Sequence, residues 1–110
     1  MILNFGSINL DLVYRVASLP TPGETLASTS YEKYLGGKGV NQSIAAQRCG
    51  ADVLHIGCVG PDGEWLREQI VEFGLSLEGV KTVPDHTGHA VIFVADSAEN
   101  QIVLFGGSNQ

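Results

Sequence analysis

The sequence predicts an α/β fold in which a parallel core sheet is flanked by helices and joined by an additional, half-exposed β layer. Three observations carry this. Short, nearly continuous apolar runs at 1–6 and 53–59 have the composition of strands covered on both faces. Two segments of helical spacing, 40–49 and 61–73, alternate with them, each stopped by a glycine, as crossover helices over a parallel sheet would be. The stretches 10–16, 25–34, 88–95 and 101–105 are β-rich but of mixed polarity, which suits a sheet open to solvent on one side.

Taken in order, Met1 to Gly6 is the first strand, buried and ended by glycine. Leu10, Leu12, Tyr14 and Val16 then alternate with Asp11, Val13 and Arg15 to give a half-exposed strand. Pro20-Thr21-Pro22-Gly23 is a turn, with Pro22 suited to the first central position and Gly23 to the second, where a type II turn needs positive φ. Thr25 to Tyr34 returns as a second exposed strand. Val40 to Cys49 is a helix with Val40, Ile44 and Ala45 inward and Gly50 as its stop. Val53 to Val59 is a buried strand with His55 as a hydrogen-bonded core histidine. A second helix opens at Pro61-Asp62, turns Leu66, Ile70 and Phe73 inward and closes at Gly74. Trp65 belongs at that helix's edge, and Glu64, Arg67, Glu68 and Glu72 form its solvated face. After a weak strand at 80–83, the runs 88–95 and 101–105 form a hairpin across Asp96-Ser97-Ala98-Glu99-Asn100. At the end, Ser108 or Asn109 reads as an N-cap with no helix behind it, and the strands and helices are too few to cover a doubly wound sheet. The expectation is the N-terminal part of a longer protein.

Composition narrows the function. A chain of 110 residues with 44% hydrophobic and 16% charged residues can build a core. A net charge of −6 argues against nucleic acid or an anionic membrane as partner, since both are met by clustered Lys and Arg. No run approaches the roughly 18 apolar residues of a membrane span, and no basic leader precedes an apolar run, so a cytoplasmic location is expected. Cys49 and Cys58 fall in segments read as buried, where free thiols act as small hydrophobes. The pair His86 and His89 has two histidines where zinc wants three or four ligands, so no metal site is expected.

Two polar clusters carry chemistry. In Leu35-Gly36-Gly37-Lys38-Gly39-Val40-Asn41-Gln42, the hydroxyl that a P-loop needs after its lysine is missing, and Gln42 stands where the dinucleotide fingerprint needs its third glycine. What remains is a Gly36-Gly37 pair that lets backbone come close to a ligand, with Lys38 and Asn41 beside a helix N-terminus that favours oxygen-rich groups. In Gly6-Ser7-Ile8-Asn9-Leu10-Asp11, just past the first strand's C-terminal end, Asn9 and Asp11 are two apart and share a side of an extended chain. A carboxylate that accepts two adjacent hydroxyls beside an amide recognises a polyol, so a sugar fits better than a nucleotide. The competing reading is structural: Asn9 and Asp11 cap a turn, and the three glycines serve a tight strand-to-helix connection.

These residues also carry a resemblance. GSINLD at 6–11, PTPGET at 20–25, GGKGVNQSIAAQRCGA at 36–51, IGCVGPDGEW at 56–65, TGHAVIFV at 87–94 and ENQIVLFGGSNQ at 99–110 together resemble the N-terminal part of ribokinase-like sugar kinases, in the PfkB carbohydrate kinase family. The resemblance runs in order through the whole chain, and the stretch from Gly36 to Gly60 is similar to the family's first signature.

The resemblance implies a partial ribokinase-like fold, a parallel sheet with flanking helices plus a β-sheet lid, the lid built from about 10–34 and 88–105. It implies that Asn9, Asp11, Gly37, Lys38 and Asn41 touch the sugar's hydroxyls, that Gly36 and Gly37 form the hinge, and that Ala90 and Leu104 make apolar contacts from the lid. It implies a sugar substrate, ribose first, with fructose, a nucleoside or another small polyol left open, a homodimer through the lid, and ATP and Mg2+ as cofactors held by a C-terminal part with the catalytic base. Nothing in 1–110 matches that second signature, so no catalytic residue is expected here, and the chain alone is expected to be inactive and to hold no cofactor. A role for Asp11 as general base is disfavoured, because a diol-binding carboxylate needs no shifted pKa. The alternative from another class is a non-catalytic sugar-binding or dimerisation module.

Overall fold

The computed structural model describes residues 1–110. In chain order its elements are β1 (Ile2–Phe5), β2 (Asn9–Val16), β3 (Ser30–Gly36), α1 (Lys38–Arg48), β4 (Val53–Val59), α2 (Glu64–Glu72), β5 (Val80–Thr82), β6 (His89–Ala95), β7 (Asn100–Phe105) and a 3-10 turn at Gly107–Asn109. They form two sheets. One is three-stranded and parallel in the order β1-β4-β5; the other is four-stranded in the order β3-β2-β6-β7, with β2 and β6 parallel and the outer pairs antiparallel.

The core lies where α1 and α2 meet the parallel sheet. Ile8, Val40, Ile44, Val59, Leu66, Ile70, Leu75 and Val80 form one buried cluster, and Leu10, Leu35, Trp65 and Leu77 pack against it. Leu10 and Leu35 are cross-strand partners at the base of the second sheet, so that sheet is anchored in the core at one end. Trp65 holds the join from the other side, with the Lys33 ammonium 4.6 Å from its ring centre. A polar clasp reinforces it. The Thr87 N–H and hydroxyl both donate to Asp62 Oδ1, at 2.9 and 2.6 Å, and the Thr87 hydroxyl oxygen accepts the Gly60 N–H at 2.8 Å. The Thr87 hydroxyl, more than any other group, holds the Asp62 carboxyl below its usual range.

Several boundaries and faces differ from expectation. The strand expected over 25–34 is β3, beginning only at Ser30, because residues 21–29 first leave the turn whose Glu24 N–H donates to Thr21 and whose Gly23 has φ 81°. The first helix begins at Lys38, and its third inward residue is Ser43 in place of Ala45, which is exposed with Cys49. Pro61-Asp62 is a turn ahead of α2, which starts at Glu64, and Phe73 sits exposed at its C-cap, with Arg48 over its ring. Most telling is β1, expected to be covered on both faces but with Phe5 72% exposed. β1 is an edge strand, both helices contribute to the cluster on one face of the sheet, and the other face meets only the 107–109 turn near Cys58. Ser108 is buried, its hydroxyl donating to Cys58 O at 3.2 Å and accepting the Gly88 N–H at 3.2 Å.

Candidate functional site

Strand alternation puts Asn9 and Asp11 on the same face of β2, and the register places Asp11 beside Ala90 on β6, which in turn faces Leu104 on β7. Across from that face stands the start of α1. The result is an open cleft of about 390 Å³ whose wall includes Asn9, Asp11, Gly37, Lys38, Asn41, Ala90 and Leu104. Seven of the eight residues singled out in the sequence therefore meet in one place. Gly36 is the exception: it is buried behind the wall, paired with Asn9 across the β2–β3 ladder.

The glycines are explained by the protein's own atoms. A Cβ on Gly36 would fall on the Asp11 carboxylate, 2.5 Å from its Cγ, so only hydrogen at this position leaves the carboxylate its place. Gly37 has φ 105°, and a Cβ there would also lie 2.7 Å from Ser7 O. Gly37 thus lies close against the β1–β2 loop, where the Val40 N–H also donates to Ser7 O at 3.0 Å.

That loop is also held from below. The Asn4 amide donates to Gly39 O and to Ser43 Oγ, both at 2.9 Å. His55, fully buried, lies 3.0 Å from Gly6 O and 2.7 Å from Ser43 Oγ. Because a carbonyl can only accept, Nε2 carries the proton and donates to Gly6, and Nδ1 accepts from the Ser43 hydroxyl. Burial keeps this imidazole below its ordinary pKa, in keeping with a neutral ring. It is the hydrogen-bonded core histidine that its strand context predicted.

Electrostatically the cleft pairs one carboxylate with one ammonium. Asp11 accepts no hydrogen bond from the protein, and the chain's one ion pair within 4.0 Å is His86 with Asp62, well away from the cleft. Burial pushes the Asp11 carboxyl up. A half-buried carboxylate with free lone pairs, beside an amide on its own strand and a lysine and an amide on α1, can accept from and donate to adjacent hydroxyls. No group of three or more His, Cys, Asp and Glu is gathered in the chain, and Lys38 is the one cation in the cleft wall.

Sequence reading missed part of the wall. Ile92 and Ile102 line the cleft two residues from Ala90 and Leu104 on the same strands, and the period of two would have supplied them. Ser7 lines it too. Asn109 is brought to Asn9 by a contact spanning one hundred residues, for which no local signal exists.

In sequence and in fold the chain is similar to known proteins. The chain is 44% identical over 107 residues to ribokinase of Haemophilus influenzae, covering 94% of this chain and 35% of that protein. It is 32% identical over 108 residues to deoxyribokinase of Salmonella typhi, covering 96% of this chain and 35% of that protein. Among solved structures, it superposes on ribokinase of Cryptococcus neoformans in complex with ADP with a TM-score of 0.86 at 40% identity, over 97% of this chain and 34% of that one. Ribokinase of Arabidopsis thaliana, solved with ribose and ATP, matches with a TM-score of 0.87 at 29% identity, over 98% of this chain and 36% of that one. The chain spans about a third of the length of each of these proteins. The pfkB family carbohydrate kinase profile matches residues 1–110, and the chain belongs to that family.

Proposed function

We propose that residues 1–110 are the substrate-binding and lid portion of an ATP-dependent carbohydrate kinase whose substrate is ribose. The observation that carries the reading is the meeting of Asn9, Asp11, Lys38 and Asn41 with the apolar Ala90 and Leu104 in one cleft. The four polar groups would hold the sugar's hydroxyls, the two apolar ones would cover its carbon face, and Gly36-Gly37 would be the hinge on which β2, β3, β6 and β7 close as a lid. Ribose is favoured over other sugars by the names of the relatives, and by the Arabidopsis thaliana enzyme's complex with ribose. ATP, with Mg2+, would be held by residues outside 1–110, as would the catalytic base, in a cytoplasmic enzyme. The cleft's part is to bind and orient the acceptor, which is a large share of phosphoryl-transfer catalysis. The part of the lid face beyond the cleft, at Val13 beside the cleft-lining Ile92, would meet a second copy to form the homodimer.

The test is Asp11→Ala in the full-length protein, with ribose and Mg-ATP titrated separately by calorimetry. Losing two charge-assisted hydrogen bonds, each about 1.5–3 kcal/mol, should weaken ribose binding by roughly two orders of magnitude or more and leave ATP binding within twofold. Unchanged ribose affinity would sink this assignment.

A further inference from the structure

Asn9 reaches the cleft with its amide already held from behind. Asn109, on the 107–109 turn, accepts the Ile8 N–H at Oδ1 (3.0 Å) and donates from Nδ2 to Ile8 O (3.2 Å) and to Asn9 Oδ1 (2.6 Å). The two backbone groups leave no choice of orientation. An N–H must donate and a carbonyl must accept, so Asn109 can turn only its NH2 toward Asn9, and Asn9 can answer only with its oxygen. The NH2 of Asn9 makes no hydrogen bond within the chain and is the end of the amide left for the cleft that Asn9 lines. The arrangement is tightly fitted, since a Cβ on Gly88 would fall on the Asn109 amide and lie 3.0 Å from Asn9 Oδ1.

We propose that Asn109 is a positioning residue that fixes Asn9 as a hydrogen-bond donor in the cleft, so that the cleft presents an ordered pair, a donor at Asn9 and an acceptor at Asp11. The inference rests on the sugar-binding reading above, and it concerns hydrogen-bond polarity, which that reading leaves open. A polyol whose hydroxyl oxygen accepts from Asn9 while its own or a neighbouring proton goes to Asp11 satisfies both groups at once. A free amide would spend part of its time flipped, offering a carbonyl beside a carboxylate with no proton between them unless the ligand supplied two.

Two substitutions in the full-length protein separate this role from a merely structural one. Asn109→Ala removes the hold on Asn9 and lets its amide sample both orientations, so the fraction ready to bind falls to about half and ribose affinity drops about twofold. Asn109→Asp keeps the shape and still accepts the Ile8 N–H, but it offers Asn9 a carboxylate, so Asn9 turns its NH2 inward and its oxygen to the cleft. Ribose affinity should then fall about tenfold or more, because a lost hydrogen bond is joined by an acceptor facing an acceptor. Destabilisation is read apart from this by thermal unfolding of both variants, since alanine removes every Asn109 hydrogen bond and aspartate sets a second acceptor against Ile8 O. A double-mutant cycle completes the test: in an Asn9→Ala background, Asn109→Asp should leave ribose affinity within twofold of Asn9→Ala alone. The proposal is supported by that ranking with Mg-ATP affinity unmoved. It is overturned if Asn109→Asp binds ribose like the parent, if its loss persists in the Asn9→Ala background, or if ATP affinity falls in parallel. A parent protein that binds no ribose would instead overturn the sugar-binding reading itself. Should Asn109→Asp fail to fold, an Asn109→Ala variant that folds and loses tenfold would also refute the mechanism.

Discussion

Gly36→Ala isolates the part of the site that is decided by a single methyl group. Gly36 is an ordinary β-strand residue without positive φ, so alanine suits its backbone and gains about 0.4–1 kcal/mol from a stiffer unfolded chain. The obstacle is the Asp11 carboxylate, whose Cγ and Oδ1 would lie 2.5 and 2.6 Å from the new Cβ. Carbon and oxygen do not approach that closely, so the carboxylate must swing away, at a rotamer cost of about 0.5–1.5 kcal/mol. These two contributions nearly cancel, and stability should change by less than about 1 kcal/mol. Binding should not escape: each hydrogen bond to the displaced charge is worth about 1.5–3 kcal/mol, so losing even one weakens ribose binding roughly 10- to 150-fold. The assay is calorimetric titration of the full-length variant beside its thermal unfolding curve. Because both substitutions act through one carboxylate, Gly36→Ala combined with Asp11→Ala should bind ribose no worse than Asp11→Ala alone. Parent-like ribose binding by Gly36→Ala, or additive losses in the double variant, would refute the reasoning.

Two further outcomes are expected. His55 is held below its ordinary pKa of 6.5 by burial, so below that pH the unfolded chain takes up a proton that the folded chain refuses. The stability from this group is fully present above about pH 6.5 and is lost as pH falls, by up to about 1.4 kcal/mol per unit, until the folded-state pKa is reached. Thermal unfolding of the parent between pH 8 and 5 should show that slope, and His55→Gln should flatten it; equal slopes would remove His55 as the source. For the proposed lid dimer, Val13→Lys puts an ammonium on the apolar face but outside the cleft wall, and should weaken self-association by roughly 30-fold or more in sedimentation equilibrium. A variant that stays as dimeric as the parent would show that this face is not the interface.

What could be read from the sequence alone was whatever rests on local periodicity and local sterics. The strand Val53–Val59 is found at its predicted limits, because an apolar run bounded by small residues and turns carries its own ends. The stops at Gly50 and Gly74 follow from their positive φ, 92° and 90°. Asn9 and Asp11 could be placed on one side of one strand because a strand alternates with period two, and Lys38 and Asn41 on one helix start because they are three apart. Periodicity cannot say what stands opposite a face. That is why β1, which has the composition of a covered strand, is found as an exposed edge of residues 1–110, and why the hydrogen bonds by which Ser108 and Asn109 tie three segments together have no local signal. The reason Gly36 must be glycine lies in a carboxylate 25 positions earlier, and the orientation of the Asn9 amide in a residue one hundred positions later. Such partners are chosen by chain packing, since hydrogen-bond polarity and excluded volume act between neighbours in space, whatever their distance along the chain.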